Sequence, residues 1–139
     1  MYPKVTLRLE GAGIAAVATV AYFALGGSLW LFVVLALAPD ISILTYLAGL
    51  RVGSHVYNAF HTYLAPVTLG AAGVLLSMTS LLWIALVWAA HIGVDRAAGY
   101  GLKYPTGFKH THLSGAANHN IPAGKPAEVV SEATGTGDD

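Results

Sequence analysis

The chain has 139 residues, 55% of them hydrophobic and only 10% charged, with 7 basic residues balanced by 7 acidic ones. Soluble domains carry about 25% charged residues, so this composition, at a mean hydropathy of +0.62, excludes an ordinary soluble domain and indicates an integral membrane protein. Zero net charge leaves no basic surface for nucleic acid, and the lack of cysteine removes disulfides, thiolate catalysis and zinc–thiolate sites.

A membrane-spanning helix needs about 20 apolar residues, and four segments meet that requirement. The N-terminus "MYPKVTLRLEG" is not built as a cleavable signal, because Glu10 stands where the apolar core would begin. The first helix, roughly 9–25, is therefore expected to stay as an anchor. Gly26, Gly27 and Ser28 make a tight turn into a second helix, roughly 29–50, interrupted at Pro39-Asp40. The third helix, roughly 52–76, contains "HVYNAFHTYLAP"; the turn "SMTS" leads to the fourth, roughly 81–96.

Residues 97–113 carry Gly and Pro breakers, with Tyr100, Tyr104 and Phe108 alternating with Lys103 and Lys109. Aromatic rings and lysines favour the headgroup layer, so this stretch reads as an interfacial loop, or as a lid over a site. Residues 114–139 are rich in Gly, Pro, small and acidic residues, and are expected to be disordered or pinned by a partner. The expected fold is all-α: a four-transmembrane-helix bundle over residues 1–113 with short extracytoplasmic turns, followed by the tail 114–139.

Charge placement predicts topology. The turns at 26–28 and 77–80 carry no charge, whereas Lys4, Arg8, Arg51, Arg96, Lys103 and Lys109 fall at the opposite helix ends. The positive-inside rule makes that side cytoplasmic, giving a multi-pass protein of the cell inner (plasma) membrane with both termini inside.

Ionisable residues gather toward the same side. Asp40 and His61 each lie ten residues from a helix end, roughly 15 Å deep, while His91 and Asp95 are four apart and share a helix face. A charge facing lipid costs at least about 2.5–3.5 kcal/mol, so Asp40, His61, His91 and Asp95 are expected to face inward and one another. Glu10 and Asn58 join them as candidates. Three chemistries are open: a divalent metal site with Glu10, Asp40, His61, His91 and Asp95 as ligands; metal-free acid/base work by a histidine oriented by an aspartate; and haem held by the two histidines, which the carboxylates disfavour. The bland alternative is that these groups only bond helix to helix, with Asp40 capping a restarted half-helix and Asp95–Arg96 forming an end pair. His55 is expected to face solvent, and His110, His112 and His119 lie in loop sequence.

The stretches "RLEG" at 8–11, "PDIS" at 39–42, "YNAFHTYLAP" at 57–66 and "HIGVDRAAGYGLKYPTGFKHTHL" at 91–113 are similar to those of a family of small bacterial membrane proteins catalogued as a domain of unknown function (number 4260). That resemblance covers residues 1–113 and implies a four-helix membrane protein, with no catalytic assignment to carry over.

Two functions follow as expectations. In the first, the chain is a small membrane enzyme, a metal-dependent hydrolase acting on an amphiphilic substrate. Asp40, His61, His91 and Asp95 then serve as ligands or acid/base groups, and Asn58, Arg96 and Lys103 bind substrate, the two cations clamping its phosphate or carboxylate. In the second, it is an accessory subunit of a larger membrane protein complex. Membrane lipid is a partner in both.

Overall fold

The computed structural model describes residues 2–109 and 111–113; the predicted tail lies outside the described residues. Helix α1 (Pro3–Ala24) begins with proline in its first turn, where the missing N–H costs nothing. It is followed by α2 (Leu29–Leu37), which is capped by the Ser28 hydroxyl accepting from Leu31 N at 3.3 Å. Pro39 cannot supply the N–H that a continuing α-helix needs, and the rod tightens into a 3-10 segment, Ala38–Ala48. The predicted interruption at Pro39-Asp40 is therefore a change of helix type, not an end. Gly49, at φ 113°, reverses the chain in a conformation that side chains rarely adopt. Helix α3 (Leu50–Phe60) then packs back on the 3-10 segment so closely that a Cβ on Gly53 would run into the Tyr46 ring.

The third predicted span is two helices. Helix α3 stops at Phe60 and α4 (Leu64–Leu75) starts after a gap of three residues. Pro66 explains the break: in a continuous helix its ring would press on the carbonyl of Thr62, four residues back. In α4 it sits in the first turn, where proline is tolerated. Helix α5 (Thr79–Ala98) is the central rod, in contact with α1, α2 and α4. It ends in a glycine C-cap, Gly99 at φ 97°, with Tyr100 N bonded to Asp95 O at 2.8 Å.

The result is a four-rod helical bundle: α1, α2 with its 3-10 extension, the broken α3–α4 pair, and α5. Three helices, Pro3–Ala24, Leu29–Ala48 and Thr79–Ala98, are long and apolar enough to cross a membrane. The outer surface fits hydrocarbon, with Val17, Trp30, Leu64 and Leu75 among many exposed apolar side chains. Small residues bring the rods together, as expected where lipid is no worse a solvent than leucine. A Cβ on Gly93 would stand 2.6 Å from Gly11 O, so α1 and α5 cross backbone to backbone between His91 and Asp95. At the far end, Tyr22 is fully buried and donates to Ser28 O at 2.9 Å, while Trp83 Nε1 donates to Leu25 O at 3.2 Å.

Candidate metal centre

Four side chains from three elements meet near the end of the bundle where the chain reverses at Gly49 and α5 ends. Asp40 comes from the first turn of the 3-10 segment, His61 from the C-terminus of α3, and His91 and Asp95 from successive turns of α5. One potential ligand atom from each lies within 4.8 Å of all the others. His91 Nε2 is 3.2 Å from His61 Nε2 and 3.4 Å from Asp40 Oδ1. Asp95 Oδ2 is 3.5 Å from His61 Nε2 and 3.6 Å from His91 Nε2, and Asp40 Oδ1 is 3.7 Å from His61 Nε2.

Those separations resemble the edges of a coordination tetrahedron. Zinc–nitrogen bonds of about 2.0–2.1 Å in tetrahedral array set neighbouring ligand atoms roughly 3.3–3.4 Å apart. Protonation points the same way. His61 Nδ1 lies 3.0 Å from Tyr57 O, which can only accept, so Nδ1 carries the hydrogen and Nε2 of the neutral ring presents a lone pair to the cluster. That lone pair faces two carboxylates that are themselves acceptors. A cation in the middle satisfies all four groups at once, and a carbonyl behind the far ring nitrogen is how metal-binding histidines are usually oriented.

The helix break places His61, and α5 makes the break tolerable. Ending α3 at Phe60 leaves carbonyls that a continuing helix would have paired, which is costly away from water. Trp88 Nε1 donates to Phe60 O at 2.7 Å, and Arg96 Nη2 donates to His61 O at 3.0 Å. Arg96 Nη1 reaches Tyr100 O at 3.3 Å, and Arg8 Nε holds Ala97 O at 2.7 Å at the C-terminus of α5. The Tyr57 ring stacks on the His61 ring with centroids 3.8 Å apart, fixing its plane. The cluster is open on the Asp40 side: that side chain is 46% exposed, against 3% for His61.

Four sequence candidates have other places. Glu10 is exposed on α1, about 100° round the helix from the buried Gly11 that faces α5, and does not belong to the cluster. Asn58 is not open to a substrate, because its amide pairs with the backbone of Lys103, Nδ2 to O at 2.8 Å and N to Oδ1 at 2.7 Å. Arg96, expected as an anion clamp, is turned onto the carbonyls of His61 and Tyr100. Lys103 lies over the Tyr57 and Phe108 rings, 4.7 and 3.5 Å from their centroids, and donates to Phe108 O at 3.0 Å. Burial pushes its ammonium below the ordinary lysine value, and the charge of Asp95 works against that shift.

Residues 99–109 and 111–113 fold over this end as a lid. Lys103 bridges Thr111, and His112 brackets Leu102: its Nδ1 accepts from Leu102 N at 2.8 Å, and its own N donates to Leu102 O at 3.1 Å. His112 is thus a structural tie and no part of the metal cluster, His55 is exposed as expected, and His110 and His119 lie outside the described residues. The spacing of four residues puts Tyr57 on the face of His61 in the sequence itself; the bond of Trp88 to Phe60 O and the backbone contacts of the lid are not legible there, the one signal being Trp88's place one turn before His91.

The family model for "Domain of unknown function (DUF4260)" matches residues 4–115, and the chain belongs to that family. No curated protein and no solved structure matches the chain.

Proposed function

We propose that this family member is a membrane-embedded, metal-dependent hydrolase of amphiphilic substrates, with His61, His91 and Asp95 holding a divalent ion of the zinc type. One observation carries the reading: the five separations of 3.2–3.7 Å among the four facing atoms, which match the edges of a metal-centred tetrahedron. Two histidines and a carboxylate, with a fourth position that water can reach, make a catalytic zinc pattern. Asp40, the most exposed member and carried on the loosely bonded 3-10 segment, is the group that alternates. As a ligand it would close the site; swung aside, it would leave a ligand position for water.

A divalent ion held by His61, His91 and Asp95 would supply the activation of water as a nucleophile at neutral pH. Asp40 is the base that would take a proton from the attacking water as the water oxygen bonds to the substrate's carbonyl carbon. The acyl–heteroatom bond then breaks, and Asp40 returns the proton to the departing heteroatom. The Tyr57 carbonyl, accepting from His61 Nδ1, and the stacked Tyr57 ring keep the imidazole in its metal-binding tautomer throughout. The lysines and arginines collected at this end favour a cytoplasmic site, with both termini on that side.

Elemental analysis of protein purified in detergent tests the proposal. The wild type is expected to carry about one divalent metal per chain and His61→Ala none. Absence of stoichiometric metal from both would overturn it and favour the accessory-subunit reading, in which the four side chains only join helix to helix.

A further inference from the structure

We infer that an apolar crevice on the lipid-facing flank of the bundle seats the substrate's hydrocarbon chain, with the chain's carbonyl end at the metal centre, so that the substrate class is a single-chain acyl amphiphile. This rests on the hydrolase reading above. The crevice has a volume of about 140 Å³ and is lined by Leu35, Ala38, Pro39, Phe60, Ile84 and Trp88.

Its position relative to the site is the main argument. Pro39 and Phe60 directly precede Asp40 and His61, and Trp88 stands one helical turn before His91. Ile84 is seven residues before His91, or about 10 Å along α5, and Leu35 is five residues before Asp40. The crevice thus starts beside the site and runs toward the middle of the helices. A chain lying in it would put its first carbons, and the carbonyl they bear, at the cluster.

The wall has no spare hydrogen bonds to offer a polar guest. The indole N–H of Trp88 is given to Phe60 O at 2.7 Å, Pro39 has no N–H, and the Phe60 and Trp88 rings stack 5.6 Å apart. Two of the three rods that form it, Leu29–Ala48 and Thr79–Ala98, are long and apolar enough to cross a membrane, and the flanking Leu37 and Ile41 are 63% and 65% exposed, so the mouth opens to hydrocarbon. The volume is close to that of a protein cavity of about 150 Å³ that holds one benzene. It accommodates a stretch of one chain, and is too small for a sterol nucleus or for two chains side by side.

Photolabelling of the full chain in phosphatidylcholine vesicles tests this. Two fatty acid methyl esters serve as probes, one with a diazirine beside the carbonyl and one with a diazirine at the chain terminus. The first is expected to mark Pro39, Phe60 and Trp88, and the second Leu35 and Ile84. Excess unlabelled ester should compete with both. Ala38 is exposed, so Ala38→Phe fills the crevice without disturbing the core, and labelling there should fall several-fold. Ile84→Ala, which widens the crevice, should raise it.

Three results would overturn the inference: even labelling that includes outward positions such as Val17 and Val74, an inverted order of the two probes, or labelling undiminished by Ala38→Phe. None of these readouts depends on bound metal. A metal-free protein with ordered crevice labelling would therefore remove the hydrolase reading while leaving the chain seat in place.

Discussion

Asp40, His61, His91 and Asp95 are assembled by a simple constraint: an ionisable side chain inside an apolar helix has nowhere inexpensive to go except toward another such group. That constraint makes the four legible from the sequence. It does not reach Glu10, which is exposed on α1 about two turns after the helix starts at Pro3. Asn58 lies away from the cluster for a different cause: its partner, the backbone of Lys103, is 45 residues away and leaves no local trace. Among the four, exposure separates the roles. Asp40→Asn is expected to retain metal on His61, His91 and Asp95 while hydrolysis falls by about 10²-fold or more, the usual loss when a general base is removed. Metal content and turnover measured on the same preparation check this, and metal loss equal to that of His61→Ala would make Asp40 a plain ligand.

At the level of elements, the broken α3–α4 rod is what brings His61 to the cluster. Its cause is written in the sequence, since Pro66 cannot sit inside a continuous helix behind Thr62. The compensation is not, because Trp88 and Arg96 reach the freed carbonyls across an interface that periodicity does not describe. Arg96 acts on the centre through the His61 backbone. Arg96→Ala leaves that carbonyl unpaired, at a cost of about 1–3 kcal/mol. It is expected to weaken metal binding by about 10–100-fold, as other outer-shell losses do. Chelator competition reads the affinity, and unchanged affinity in a folded variant would deny Arg96 this positioning role. Four rods, their order and their turns were readable from hydropathy and glycine placement; the 3-10 geometry after Pro39 and the three-residue gap before Leu64 depend on packing.

For the whole molecule, the lid of residues 99–109 and 111–113 ties down the end that holds the cluster, and His112 makes it sensitive to acid. Burial, and then the charge of Arg96, hold its ring below the ordinary value of 6.5, while its bond to Leu102 works the other way. A released ring takes up a proton before the tied one does. The tie is therefore at full strength above about pH 6.5, and weakens as pH falls from there through the lowered value of the folded state. Protonation also removes the Nδ1 lone pair that accepts from Leu102 N. Hydrogen exchange at the Leu102 amide, corrected for its intrinsic pH dependence, should speed up on acidification in the wild type and be fast at every pH in His112→Ala. An amide equally protected at pH 5 and pH 8 would contradict this.

Fold and centre come together in one question, whether these four side chains surround an ion. Cobalt(II) exchanged into the purified protein answers it directly, because its visible absorption reports coordination number. A stoichiometric site with the intense bands of four-coordinate cobalt, abolished in His61→Ala, is the predicted result. Weak six-coordinate bands, or a spectrum indifferent to His61, would contradict it.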